Sequence, residues 1–139
     1  MFSVVVPTFN REDHIARCLG SIISQSFGDH EVVVVDNAST DETVEVALNF
    51  ADRLDIKVLV NDSNQERSYS RNRGAENARG RFMVFLDSDD ELRPDSLEIA
   101  AAFIDAEPDR RFFFQRLTIV DESGATVYEP VIREGHSIC

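Results

Sequence analysis

The stretch Phe2-Ser3-Val4-Val5-Val6-Pro7-Thr8-Phe9-Asn10-Arg11 decides the fold. Residues 2–6 are nearly continuous and β-branched, the pattern of a strand buried on both faces of a parallel sheet rather than the alternation of a half-solvated one. Pro7 closes that strand, having no N–H to offer a neighbour. Beyond it Asn10 has the side chain of a helix N-cap and Glu12 and Asp13 suit the first turn. Apolar residues then recur at Ile15, Cys18, Leu19, Ile22 and Ile23, one face of a helix.

The same alternation continues downstream. Residues 32–35 repeat the buried-strand signature and end in Asp36; Ser39 and Glu42 have the spacing of a capping box, and Val44, Ala47, Leu48 and Ala51 mark a second helix. A third strand over residues 56–60 leads through a polar loop from Asn61 to a short helix near 70–78, which Gly80 is placed to stop. Residues 82–86 read as a fourth strand, and Pro94 precedes a helix with a stripe of Leu97, Ala100, Ala101 and Ile104. Four strand-helix alternations predict an α/β, Rossmann-like half with a mostly parallel sheet in the order 3-2-1-4, flanked by helices and joined by right-handed crossovers. Residues 111–120 read as a further strand, and Asp121-Glu122-Ser123-Gly124 as a turn into 125–128, giving a C-terminal hairpin beside the sheet.

The 139 residues suit one domain: about 1–107 as a core and 108–139 as a strand and hairpin tail. The formal charge of -12 opposes binding to nucleic acid or anionic lipid. Cys18 and Cys139 do not have zinc-site or disulfide-framework spacing, so the expected setting is cytoplasmic. The first residues have neither the basic region of a signal peptide nor the length of a membrane span.

In open α/β sheets ligands bind beyond the carboxyl ends of the strands, where loops converge and helix N-termini point their amides. Strand one brings Thr8, Phe9, Asn10 and Arg11 to that edge; strand two Asp36, Asn37 and Ser39; strand three Asn61; strand four Asp87, Ser88, Asp89 and Asp90. The first turn has no glycine, so neither the GxGxxG fingerprint nor the GxxxxGK loop is present to cradle a phosphate. Closely spaced carboxylates at Asp87, Asp89 and Asp90 would instead carry a hard cation, Mn²⁺ or Mg²⁺, shared with substrate phosphates. Each residue also has a plainer reading. The acidic run is an N-cap and solvated turn, Asp36 satisfies nearby helix amides instead of accepting a base N–H, and Arg71 is a surface side chain instead of a phosphate or base contact. His14, His30 and His136 are scattered and take no role.

Together the motifs have a specific look. The sequence 4–11, Ser21 with Gln25-Ser26, the run Val35-Asp36-Asn37-Ala38-Ser39-Thr40-Asp41, then Ser70-Arg71-Asn72-Arg73-Gly74, residues 78–82 and Phe85-Leu86-Asp87-Ser88-Asp89-Asp90 resemble, in order and spacing, the family 2 glycosyltransferases of the GT-A fold. The resemblance covers roughly the first hundred residues. It implies a nucleotide-sugar-binding half in which Pro7, Thr8, Phe9, Asn10, Glu12, Asp36 and Asn37 line base and ribose and Arg71 lies near the nucleotide. Asp87-Ser88-Asp89 would be the DxD element, with Asp87 nearer the ribose, Asp89 on the metal that bridges the diphosphate, and Asp90 in support. The implied partner is a nucleoside-diphosphate sugar; the base, the sugar, the acceptor (glycan, lipid or small molecule) and the inverting or retaining outcome stay open.

Two departures from the family pattern carry expectations. Asn64-Gln65-Glu66-Arg67 stand where relatives often carry a glycine, so the third loop follows a different path. Relatives also continue into an acceptor-binding half with the catalytic base, so the length implies that this half is absent. Asp121, Glu122, Glu129 and Glu134 match no base motif, and the general base is unassigned. The alternative function is therefore a non-catalytic nucleotide-sugar-binding fragment or partner subunit. A sugar-phosphate nucleotidyltransferase would need a glycine-rich basic loop after strand one, and a receiver or phosphatase-like domain an attacking carboxylate there; Pro7-Thr8-Phe9-Asn10 provides neither. A cut sheet edge next to Phe112, Phe113 and Phe114 sets the expectation of a homodimer, and lipid-linked acceptors would set one of peripheral membrane contact.

Overall fold

The computed structural model describes residues 1–109, 118–121 and 123–128. The first compact unit, Met1–Ala106, holds β1 (Phe2–Thr8), α1 (Glu12–Ile23), β2 (His30–Asp36), α2 (Thr43–Leu48), β3 (Ile56–Val60), α3 (Arg67–Asn77), β4 (Phe82–Phe85) and α4 (Ser96–Ala106). Its four strands are all parallel and lie in the order β3-β2-β1-β4, as the sequence predicts. The second unit contains a two-stranded antiparallel hairpin, β5 (Ile119–Val120) and β6 (Thr126–Tyr128), turned at Gly124 with a φ of 82°. The expected strand over 111–120 is described only from 118, and Phe112, Phe113, Phe114, Glu122, Glu129, Glu134, His136 and Cys139 lie outside the described residues.

The core forms where the β-branched runs said it would. Val4, Val5, Val6, Val33, Val34 and Val35 are fully buried, because β1 and β2 are the two inner strands and helices cover the sheet. α1 contributes Ile15, Leu19 and Ile22, and α4 contributes Leu97, Ala100 and Ile104. Each buried valine, leucine or isoleucine stabilises the fold by about 1.5–3 kcal/mol. α3 carries almost no apolar surface and packs instead through small residues, Ser70 and Gly74. A methyl group on Gly74 would collide with Val5 Cγ1 and come within 3.2 Å of Val35 Cγ2, so only glycine lets the helix lie this near the sheet.

Several local expectations change. Pro7 sits inside β1, paired with Val35, and does not end it. Phe2 N–H and Thr8 C=O bond toward the β2 side, whereas Val5 C=O accepts from Leu86, so odd residues of β1 face β4. β4 pairs with β1 only as far as Val5, and the missing N–H of Pro7 falls beyond its end. Asn10 is not the N-cap of α1: Arg11 holds that position, and Asn10 has a φ of 49°. Ser39 and Glu42 form no capping box, because the Ser39 hydroxyl donates to Asp36. In α2 Leu48 is exposed, and Phe50 and Leu54 just beyond the helix are buried. Gly80 follows α3 by three residues and serves a close approach: a Cβ there would lie 2.6 Å from the backbone nitrogen of Ser3.

Candidate functional site

The carboxyl edge of the sheet opens into a cleft of about 450 Å³. Pro7, Thr8 and Phe9 line it from β1, Asn37 from β2, Arg71 from α3, and Asp87, Ser88 and Asp89 from the loop after β4, so eight residues proposed from sequence meet in one place. Asn10, Glu12 and Asp36 do not line it. They join the loops beneath it: Asn10 N–H donates to the Ser39 hydroxyl (2.9 Å), Thr40 N–H to Asn10 Oδ1 (2.9 Å), and Glu42 N–H to Glu12 Oε2 (2.8 Å). Asp36 is 1% exposed. It accepts from the Ser39 backbone N–H at 2.9 Å and from the Ser39 hydroxyl, which is the plainer of its two sequence readings. Between these two residues Ala38 is held at a φ of 64°, a left-handed conformation that costs a residue with a Cβ about 1–2 kcal/mol.

Sequence reasoning missed Arg11, Asn64, Gln65, Glu66, Arg67 and Ser70 as cleft residues. A signal existed for the third loop, whose departure at 64–67 was visible. For Arg11 the only hint was its place in the first loop. Asn37 fixes the third loop, donating to Asn64 Oδ1 (2.7 Å) and to the Gln65 carbonyl (2.8 Å) and accepting from Gln65 N–H (2.9 Å) and Asn61 (2.8 Å). Asn61 in turn donates to the Ser70 hydroxyl at 3.0 Å, which ties the loop to the start of α3.

The loop after β4 is pinned from the other side by α1. Leu92 N–H donates to the Ser21 hydroxyl (3.0 Å); Gln25 donates to the Arg93 carbonyl (2.7 Å) and accepts from Leu97 N–H (3.0 Å); Ser26 donates to Glu98 (2.7 Å). Ser21, Gln25 and Ser26 are thus brackets for the acidic loop rather than contacts in the cleft.

Charge in the cleft is concentrated and matched. Arg71 Nη2 lies 2.6 Å from Asp87 Oδ1, and Arg11 Nη2 lies 3.6 Å from Asp89 Oδ2. Both carboxylates are about half exposed, at 46% and 48%. Partial loss of solvation, and then the charges of Asp89 and Asp87, push the Asp90 carboxyl above its ordinary value. Behind the loop Cys18, buried and donating to the Asp87 carbonyl at 3.7 Å, is pushed up to about 12, by burial first and then by Asp90, Asp89, Glu91 and Asp87. Thr8 is 4% exposed, and its hydroxyl oxygen has no hydrogen-bond partner among the described residues. Leaving such a group unpaired costs about 1–3 kcal/mol.

Among the described residues no group of three or more His, Cys, Asp or Glu side chains is arranged to hold a metal ion, and no helix is long and apolar enough to cross a membrane.

Comparison with known proteins places this geometry among relatives. A sequence model described as "Glycosyl transferase family 2" matches residues 3–133. Poly(ribitol-phosphate) beta-N-acetylglucosaminyltransferase TarS of Staphylococcus aureus is 41% identical over 107 residues, which are 75% of this chain and 19% of that protein. The structure of S. aureus TarS 1-349 in complex with UDP-GlcNAc has a TM-score of 0.73 and 32% identity over 86% of this chain and 40% of its own. The mannosyltransferase PcManGT from Pyrobaculum calidifontis, solved with GDP-Man and Mn²⁺, has a TM-score of 0.70 and 28% identity over 74% of this chain and 32% of its own. The chain spans 19% to 41% of the length of the first curated relatives it matches.

Proposed function

The chain belongs to glycosyl transferase family 2, and on that premise we propose that its cleft binds a nucleoside-diphosphate sugar, with Mn²⁺ or Mg²⁺ between Asp89, Asp87 and the diphosphate, for transfer of the sugar to an acceptor hydroxyl. The observation that carries this reading is the convergence of two half-exposed carboxylates, each facing a guanidinium, on a single cleft at the carboxyl edge of a parallel sheet. Residues 1–107 act as the nucleotide-binding core and 108–139 as its tail. The composition favours a cytoplasmic setting.

The donor set fits the cation. Asp87 and Asp89 offer carboxylate oxygens and no sulfur or imidazole, and cations of this hardness commonly take one or two carboxylates with the remaining places filled by phosphate oxygens and water. Two carboxylates leave places in the shell for phosphate oxygens and water, so a bound diphosphate would strengthen metal binding and the metal would strengthen nucleotide binding. When bound, the cation would supply positive charge against the diphosphate leaving group as the anomeric C–O bond breaks and its electron pair moves to the phosphate oxygen.

The protein's own groups orient the donor. The buried Thr8 hydroxyl has no partner among the described residues and lies in the cleft lining, where a bound ligand would meet it. Arg71 steers the Asp87 carboxylate from α3. Phe9, 39% exposed at the mouth, offers an apolar face for a base. Asn37 and residues 64–67 line the cleft as well.

The test is calorimetric titration of UDP, dTDP and GDP into the protein, each with Mn²⁺ and again with excess chelator. Metal-dependent binding of one of them is expected. Binding that ignores the chelator and survives in a folded Asp89→Ala variant would refute the site. A turnover assay with several donors and acceptors separates an enzyme from a binding subunit.

A further inference from the structure

We propose that Arg11 is a positioning residue that changes partner on loading: it holds Asp89 in the free protein and engages the donor diphosphate once a divalent cation has taken Asp89. This deepens the reading of the cleft given above and rests on it.

The two arginine-carboxylate pairs in the cleft are unequal. Arg71 hydrogen-bonds Asp87 directly at 2.6 Å, whereas Arg11 stands 3.6 Å from Asp89, with the two side chains 41% and 48% exposed. An exposed pair at that distance is marginal, and a doubly charged ion of small radius displaces a guanidinium from such a carboxylate. Asp89 is therefore the carboxylate that the free protein releases more readily of the two.

Arg11 is also built to move only its side chain. Its backbone N–H donates to the hydroxyl of the buried Thr43 at 2.8 Å, and its carbonyl accepts the N–H groups of His14 and Ile15 at the start of α1. Among the described residues the guanidinium has one further contact, a 3.3 Å bond to the Asn10 carbonyl. A fixed backbone below a loosely held planar fork suits a group that exchanges one anion for another, and a diphosphate can accept that fork bidentately. The need for such a cation is local: a diphosphate approaching Asp87, Asp89 and Asp90 meets like charge unless positive groups intervene.

The consequence is a pair of effects with opposite signs. Removing the guanidinium takes away a competitor of the metal and also a ligand of the phosphate. The experiment is to titrate the full chain and its Arg11→Gln and Arg11→Lys variants with MnCl₂ alone, following free Mn²⁺ by its EPR signal. UDP and GDP are then titrated by calorimetry with saturating Mn²⁺ and with chelator, and thermal melts check that each variant is folded. Arg11→Gln is expected to bind Mn²⁺ alone about two- to fivefold more tightly and the nucleotide with Mn²⁺ about tenfold more weakly. Arg11→Lys should recover part of the nucleotide affinity.

A folded Arg11→Gln that weakens both bindings, or alters neither, overturns the exchange. If Asp89→Ala still abolishes metal-dependent binding in that case, the cleft keeps its function and Arg11 is merely structural. If the parent protein binds neither nucleotide with Mn²⁺, the reading of the cleft fails and the exchange fails with it.

Discussion

The two ends of the sheet use the same chemistry to opposite ends. At the amino edge Glu31, 3% exposed, accepts from the Ser3 hydroxyl (2.6 Å), the Arg79 backbone N–H (2.5 Å) and Arg79 Nε (2.7 Å), while Arg79 Nη2 also reaches Asp55 (2.6 Å) and the Ser3 hydroxyl accepts from Gly80 N–H (2.8 Å). At the carboxyl edge Asp87 and Asp89 have one arginine each, half their surface in solvent, and an unpaired hydroxyl nearby at Thr8. A carboxylate with its bonds made internally holds strands together. One with its bonds half made is available to a ligand. The difference lies in burial and partner count, not in residue type.

The largest expected effect tests the open end. Asp89→Ala should lower metal-dependent nucleotide affinity by at least about thirtyfold, as loss of a charged contact costs about 2–5 kcal/mol, with the melting temperature nearly unchanged. Calorimetry and a thermal melt on the same preparation check both halves. Next comes the closed end: Glu31→Gln should cost about 1–3 kcal/mol in urea unfolding while leaving nucleotide affinity as it was. If Glu31→Gln damaged binding as much as Asp89→Ala, the division between the two edges would be lost.

The Glu31 network also predicts a pH dependence with a definite sign. Burial alone would raise this carboxyl, but the hydrogen bonds from Ser3 and from Arg79, with the Arg79 charge, outweigh it and hold the group below its ordinary value. A carboxyl depressed in the folded state binds fewer protons there than in the unfolded chain, so its contribution is complete above the unfolded value and fades as pH falls through the folded one. The stability gap between parent and Glu31→Gln should therefore be constant near neutrality and shrink as the pH falls into the acid range. Urea midpoints across that range would contradict the assignment if the gap widened in acid.

Two smaller effects sharpen the contrast. Thr8→Val removes a buried hydroxyl without a partner and keeps the shape, so the free protein should gain about 1 kcal/mol while the nucleotide binds several-fold more weakly. Equal or tighter binding would show that the hydroxyl has no ligand. Ala38→Gly relieves the positive φ beside Asp36 and should stabilise by less than about 1 kcal/mol, since glycine's extra chain entropy offsets part of the relief. Both substitutions fall at the carboxyl edge of the sheet.

What was legible in the sequence follows from the range of the forces involved. The valine runs of β1 and β2 announce buried strands by themselves, and the order β3-β2-β1-β4 follows from their alternation with helices. Asp87 and Asp89 were legible because they end a hydrophobic strand. The helix starts were misread because the side chains with capping chemistry, Asn10 and Ser39, bond to each other's loops across about thirty residues of chain. Arg11 is legible as a residue of the sheet edge but not as a partner of Asp89, which is distant in sequence, and no local pattern marks the pair. Asp36 and Glu12 were placed by resemblance in the nucleotide site, whereas the structure shows them bonded within the loops beside it, and the titrations of Asp36→Asn and Glu12→Gln would tell whether they also reach a ligand.

Gly74 acts as a spacer of zero thickness between α3 and the sheet. Arg71 reaches Asp87 from a helix whose distance from the sheet is set by the absent methyl group and by the two valines, Val5 and Val35, that occupy the space it would have filled. Any side chain at position 74 would therefore lift α3 off the sheet and carry the Arg71 guanidinium away from Asp87, a loss of aim caused by a residue that touches neither group.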